Sequence, residues 1–179
     1  MPITSQIEGQ TEAIAALFER TFTASEGPEE GAVIETLVRA MLTTVDPVDL
    51  RVFADIGADG PTGCILFSRM RYAEDPRTVF LLSPVAVAPE AQSQGLGQRL
   101  ITHGLSALRA EGADVALTYG SPGYYARTGF GPVTEAVAPA PQPLQFPHGW
   151  LGQSLTDTPL TPLKGTPTCA APFDDPALW

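Results

Sequence analysis

The 179-residue sequence is poor in the residues that usually advertise a metal centre or a disulfide framework: it has two cysteines, Cys64 and Cys169, and two histidines, His103 and His148. The cysteines lie far apart, and neither sits in a CxxC pair or a Cys/His cluster with zinc-ligand spacing, so no structural metal is expected. Basic charge is also scarce. Ten Lys plus Arg face 20 Asp plus Glu, for a net charge of -10, and Lys164 is the one lysine. Such a chain repels polyanions, which argues against nucleic-acid binding. The sequence lacks any apolar run of about 18 residues, and MPITSQIEGQTEA has neither a basic start nor an apolar h-region. The expectation is a cytoplasmic protein without a membrane partner.

What is present is the composition of a globular chain, 44% hydrophobic and 17% charged, long enough for one domain with an appendage. Apolar residues at Ile14, Ala15, Leu17 and Phe18 follow a helical repeat over Thr11–Phe22, and Val33, Ile34, Leu37, Val38 and Met41 do so in a second helix ending near Thr44. The breaker cluster Ala24–Gly31 separates them. Leu50–Ile56 and Gly63–Tyr72 read as an antiparallel pair across a glycine turn, and Thr78–Val87 as a central strand. Pro84 falls inside that strand and cannot donate to a ladder, which predicts a local distortion. A helix over Gly95–Glu111 presents Leu100, Ile101, Gly104, Leu105 and Leu108 on one face, with Gly104 marking close approach to a strand. Ala113–Tyr119 follows as a strand parallel to Thr78–Val87, because a helix crosses between them.

Beyond Phe130 the texture changes, with ten of the 18 prolines between Pro132 and Pro176. Phe146, Trp150, Leu151, Leu155, Leu160, Phe173 and Trp179 are too many large apolar groups to leave in water, so the segment reads as irregular strand packed on the domain. The resulting division is a domain over residues 1–135 and a proline-rich extension over 136–179.

The chemistry concentrates in Val85-Ala-Val-Ala-Pro-Glu-Ala-Gln-Ser-Gln-Gly-Leu-Gly-Gln-Arg-Leu100. A buried strand ends, Pro89 turns the chain, and a helix begins after Gln92–Gly97, so unsatisfied N–H groups converge with the positive end of a helix dipole. That is an anion site. Gly95 and Gly97 let a phosphate approach the backbone, and Gln92 and Gln94 carry neutral amide donors. A bare GxG also serves as a tight join of loop to helix. Two phosphate motifs are excluded: GxGxxG would need glycine where Leu100 stands, and the P-loop lysine is missing.

The stretch Gln92-Ser-Gln-Gly-Leu-Gly97, preceded by Val85-Ala-Val87, resembles the Q/R-x-x-G-x-G/A signature of the GNAT superfamily of acyl-CoA-dependent N-acetyltransferases, and Tyr125-Ala-Arg-Thr-Gly-Phe130 resembles its Y-x-x-x-G-F element. Tyr124-Tyr125 and Leu82-Ser-Pro-Val-Ala-Val87 are similar to a bacterial predicted-acetyltransferase subgroup. The likeness spans about residues 1–135. It implies a mixed α/β sheet with splayed parallel central strands, helices on both faces and acetyl-CoA as co-substrate. It further implies that Val85, Ala86 and Val87 meet the pantetheine arm, and that Gln92, Ser93, Gln94, Gly95, Leu96, Gly97 and Gln98 hold the pyrophosphate. The Val87 N–H would face the oxyanion, and Tyr125 would donate to the departing thiolate. The acceptor it implies is a small-molecule or peptide amine. Glu26, Glu29 and Glu30 lie where the family places its acceptor and also read as a solvated acidic loop. No acidic residue occurs in Thr78–Val87, which leaves the base unassigned. A non-catalytic acyl-CoA-binding module and a docking protein are the competing readings, with Tyr125 favouring the enzyme. Monomer and homodimer are both open. His103, Cys64 and Arg127 read as helix-flank, core and surface residues.

Overall fold

A computed structural model describes residues 2–179, and the chain divides into two compact units. The first runs through Phe67 and adds Pro84–Gly104; the second comprises Ser68–Ser83 and Leu105–Trp179. Among the described residues eight strands enter a mixed sheet, and two of them, β3 and β4, each contribute to both units.

In the first unit the order of strands is β1 (Ile3–Thr4), β2 (Leu50–Gly57), β3 (Gly60–Tyr72) and β4 (Asp75–Val87), with β1 antiparallel to β2 through Ile3 opposite Asp55. The helices α1 (Thr11–Glu26) and α2 (Pro28–Thr44) bury Ile14, Ala15, Leu17 and Phe18 on one and Ile34, Leu37, Val38 and Met41 on the other, as expected, but Val33, expected in the second stripe, is 47% exposed because it lies one residue off the buried face. The break between them is a single residue, Gly27, at φ 100°, followed by Pro28 at the first helical position, where its missing N–H costs no bond. Helix α3 (Leu96–Ala110) lies close on the sheet. A β-carbon at Gly104 would stand 2.5 Å from the Phe67 ring and 3.2 Å from Ile65 and Phe53, and one at Gly63 would stand 2.7 Å from Leu100. Small residues on both elements therefore bring the start of α3 against β2 and β3.

In the second unit the order is β3, β4, β5 (Val115–Tyr119), β7 (Trp150–Ser154) and β6 (Gly131–Pro132), with β8 (Pro167–Thr168) on β3; α4 (Pro122–Ala126) follows β5. Strands β4 and β5 are parallel, as a helical crossover requires, and Val79–Leu82 stand opposite Val115–Thr118. The proline-rich segment does more than pack: β7 pairs antiparallel with β5 along its whole length, from Val115 opposite Ser154 to Tyr119 opposite Trp150. Trp150, Leu151, Leu155, Phe173 and Trp179 are buried there, but Phe146 is 62% exposed, contrary to the expectation that it would be covered. Its turn is fixed through the backbone, whose N–H donates to the Tyr119 hydroxyl at 2.7 Å. Farther along, the guanidinium of Arg77 donates to both Asp75 carboxylate oxygens and to the carbonyls of Thr161 and Pro162, while the Lys164 N–H donates to Asp75, tying this stretch to β4.

Candidate active site

Pro89 and Gly95 bracket a loop whose backbone curls into a concave nest. A 3-10 turn over Pro89–Ala91 is followed by Ser93 at φ 62° and Gly95 at φ 76°, two left-handed residues separated by one, before α3 begins at Leu96. Left-handed backbone costs a non-glycine residue about 1–2 kcal/mol, so Ser93 holds strain that its surroundings sustain. Left-handed residues alternating with other conformations are the backbone pattern of anion-binding nests, in which successive N–H groups face one side and add to the positive end of a helix. The first bond into α3 is from the Arg99 N–H to the Gly95 carbonyl; among the described hydrogen bonds the N–H groups of Ser93, Gln94, Gly95, Leu96, Gly97 and Gln98 donate to no protein group. The side chains of the loop turn inward. Gln92 donates to the Val87 carbonyl at 2.9 Å, Gln94 to the Glu90 carbonyl, and Arg99 to the Gln94 carbonyl, while Arg20 of α1 pairs with Glu90 at 2.8 Å. Gln92 and Gln94 each use one amide N–H to brace the loop and keep a second, beside the donors of the main chain.

The strand leading into this loop carries the distortion that Pro84 predicts. Leu82 directs its carbonyl toward β5, where it accepts from the Thr118 hydroxyl at 2.8 Å. Ala88, an even number of residues later, directs its N–H toward β3, to the Thr62 carbonyl at 2.8 Å. In a regular strand both would face the same neighbour. The alternation slips by one residue between them, the mark of a bulge, and Pro84 lies inside that interval. Counted back from Ala88, Val85 and Val87 turn their polar groups away from β3. The pairs with β5 stop at Leu82 opposite Thr118. Of these outward groups the Val87 carbonyl is taken by Gln92.

Tyr125 belongs to the second unit. Its N–H donates to the Ser121 carbonyl, and its own carbonyl accepts from the N–H groups of Thr128 and Phe130 and from the Thr128 hydroxyl. Gly129, at φ 95°, makes the turn that brings Phe130 back edge-on to the Tyr125 ring at 5.9 Å. This is the physical content of the Y-x-x-x-G-F spacing. Tyr124 stands edge-on at 5.0 Å. Burial pushes the Tyr125 phenol up to about 12; a hydrogen bond with Thr118 pulls the other way, and Tyr124 adds to the rise. The group is a protonated donor throughout the neutral range.

The structure therefore groups Val85, Ala86 and Val87 with Gln92–Gln98 in the first unit, and Tyr125 with Thr118 and Gly120 in the second. Thr118 and Gly120 were not singled out by sequence reasoning; a lone polar residue in the apolar strand Val-Ala-Leu-Thr-Tyr was the available signal for the first. Glu26 and Glu29 are exposed and Glu30 half-buried where α1 meets α2. His103 is exposed, with its ring edge-on to Phe53 at 5.3 Å, and Arg127 is exposed. Burial raises the thiols of Cys64 and Cys169, the second to about 11, so both are neutral near pH 7. No group of three or more metal-ligating side chains exists among the described residues, and no helix of theirs is long and apolar enough to cross a membrane.

Residues 63–133 match the profile of the acetyltransferase (GNAT) domain. The uncharacterized N-acetyltransferase YjhQ of Escherichia coli strain K12 is 40% identical over 121 residues, covering 65% of this chain and 66% of that protein, just under two thirds of its length. Among solved structures, the GNAT family N-acetyltransferase YhbS of Escherichia coli in complex with CoA matches with a TM-score of 0.75 at 22% identity, over 97% of this chain and 92% of that one. A GNAT family acetyltransferase of Brucella melitensis in complex with acetyl-CoA matches with a TM-score of 0.70 at 24% identity, over 97% of both chains.

Proposed function

We propose that the chain is an acetyltransferase of the GNAT family, to which it is similar over residues 63–133 and in a relative at 40% identity, and that it transfers the acetyl group of acetyl-CoA to a primary amine of a small molecule or peptide. The observation that carries the reading is the nest after β4. Six consecutive main-chain N–H groups, Ser93–Gln98, have no acceptor among the described hydrogen bonds and are turned by two left-handed residues toward the start of a helix. Backbone donors at a helix N-terminus suit a diphosphate, and among the described hydrogen bonds no side chain accepts from them.

The other roles follow from what each residue has left to offer. The outward groups of Val85 and the N–H of Val87 pair with an extended amide chain as a strand edge does, while Ala86 alternates toward β3. The Val87 N–H also serves as donor to the oxyanion that develops at the thioester carbon. Gln92 contributes by holding the Val87 carbonyl and hence the direction of that N–H. The incoming amine must be neutral to attack. A lysine-like ammonium titrates near 10.4, so roughly one molecule in a few thousand is neutral at pH 7, and its proton leaves to solvent or to a base before the C–N bond forms.

Tyr125 acts on the leaving group. Burial pushes this phenol above its usual value and well above that of a thiol, so full proton transfer to the thiolate is uphill. The phenol therefore stabilises the thiolate as a hydrogen-bond donor, and the proton that completes the thiol comes through water from the nitrogen of the tetrahedral intermediate, which becomes the neutral amide as the C–S bond breaks. The test is a thiol-release screen of primary amines with acetyl-CoA. Release that depends on both the amine and Tyr125 supports the reading. Binding of acetyl-CoA without release for any amine replaces it with a non-catalytic acyl-CoA-binding module.

A further inference from the structure

We propose that Arg20 of α1 is a positioning residue for the acyl donor, acting through Glu90 to hold the loop after β4 in the shape that offers its main-chain N–H groups to a diphosphate. The inference rests on the acetyl-CoA reading above and adds to it a residue from another element, outside both family-like motifs.

Three elements of the first unit meet at this side chain. One terminal nitrogen of the Arg20 guanidinium donates to the Glu90 carboxylate at 2.8 Å, and the other donates to the Pro61 carbonyl at 3.5 Å, at the start of β3. Glu90 is the middle residue of the 3-10 turn that opens the loop. Its carbonyl accepts from the Gln94 side chain at 3.3 Å, and the Gln94 carbonyl accepts from Arg99 of α3 at 2.9 Å. A path of contacts therefore runs from α1 and β3 through the loop to the first turn of α3, and it encloses Ser93 and Gly95, the two left-handed residues. Strained backbone at Ser93 persists only while its surroundings hold it, and Arg20 reaches the loop from a separate helix.

Charge adds a second reason. Glu90 stands three residues before Ser93, the first of the free N–H groups, and an uncompensated carboxylate there repels a diphosphate. Arg20 cancels it. As a contribution to folding the pair is small, because the two side chains are 47% and 64% exposed and pairs so exposed add little to stability. The loss of Arg20 should therefore be read in ligand affinity.

The test is calorimetry of the full chain with acetyl-CoA and with acetyl-pantetheine, which has no diphosphate. Four proteins are compared: the parent, Arg20→Gln, Glu90→Gln and the double variant. Arg20→Gln should weaken acetyl-CoA by roughly three- to fivefold, near the upper limit for a pair this exposed, and leave acetyl-pantetheine within about 1.5-fold of the parent. In the Glu90→Gln background the same substitution should change acetyl-CoA affinity by less than about 1.5-fold, because the partner through which Arg20 acts is gone. Arg20→Lys should restore most of the loss, since the contact with Glu90 uses one nitrogen. Should the glutamine variant fail to fold, Arg20→Met is read in its place. Parent-like acetyl-CoA affinity in Arg20→Gln, an equal loss in both backgrounds, or an equal loss for both ligands overturns the proposal and leaves the acetyl-CoA reading standing. Absence of acetyl-CoA binding by the parent overturns that reading, and this proposal with it.

Discussion

A β-carbon on Gly120 would stand 2.8 Å from Cε2 of Tyr125, so the tyrosine ring occupies space that only glycine leaves open. Phe130 and Tyr124 stand edge-on to the same ring, at 5.9 and 5.0 Å, and leave it little room to retreat. Gly120→Ala should therefore displace the phenol by a fraction of an ångström or more. Misplacement of about 1 Å costs on the order of 10²-fold in rate. The expected outcome is a drop of that order in kcat with acetyl-CoA affinity nearly unchanged, measured by steady-state thiol release and calorimetry.

Tyr125→Phe removes the hydroxyl and keeps the ring. Turnover should fall by about 10²-fold or more, while acetyl-CoA binding stays within a few fold. Because burial holds the phenol up at about 12, its ionisation should not appear in the rate profile of the parent below about pH 11. Unaltered turnover in the phenylalanine variant takes the thiolate-donor role away from Tyr125.

Gly95 sits at φ 76°, where alanine is strained by about 1–2 kcal/mol. In the free protein alanine relieves this strain by letting the loop relax, and acetyl-CoA, which restores the strained loop, should then bind up to roughly 5- to 30-fold more weakly. Calorimetry of acetyl-CoA reads the effect. Acetyl-pantetheine, which has no diphosphate, should lose much less.

Asp75 is nearly covered, and the Arg77 guanidinium beside it holds its carboxyl well below the usual carboxylate range, helped by N–H groups of Arg77 and Lys164. A carboxyl depressed in the folded state stabilises above its unfolded value and loses that contribution as pH falls. Asp75→Asn should cost roughly 2 kcal/mol at pH 7, as hydrogen bonds to a charged group are lost. The gap between parent and variant should shrink as pH drops below about 4. Denaturant unfolding at neutral and acidic pH measures it; a gap independent of pH contradicts the charged clasp.

Much of the fold was legible because periodicity in this sequence is strong. The apolar stripes of α1, α2 and α3, apart from Val33, and the succession of elements from Thr11 to Tyr119 follow from it, whereas the two-residue edge strand β1 is too short to show a period; Gly104 announced the close approach that its contacts with Phe67, Ile65 and Phe53 display. The proline-rich segment was less readable. Strand β7 has only five residues and contains Gly152, whose missing side chain accommodates Leu117 of the neighbouring strand. A short glycine-containing run has no internal signal of pairing; its partner β5 supplies the order. Phe146 misled because burial is a property of place, and its turn is held by a backbone bond to Tyr119 that needs no covered ring.

The candidate site divides in the same way. Local chain chemistry announced the loop after β4, since Pro89, Gly95 and Gly97 mark it. The inward turn of Gln92 and Gln94 depends on where the Val87 and Glu90 carbonyls point, which residue types do not encode. The contact of Thr118 with Leu82 joins residues 36 apart and is visible only once β4 and β5 are aligned.

The central claim is that the main-chain amides of Ser93–Gln98 grip a diphosphate, and paired titrations of the parent protein with acetyl-CoA and acetyl-pantetheine test it most directly. Acetyl-CoA at about 100 times its dissociation constant should add about 2.7 kcal/mol of stability, and acetyl-pantetheine should bind at least tenfold more weakly. Equal affinity for the two, or no stabilisation by acetyl-CoA, contradicts the claim.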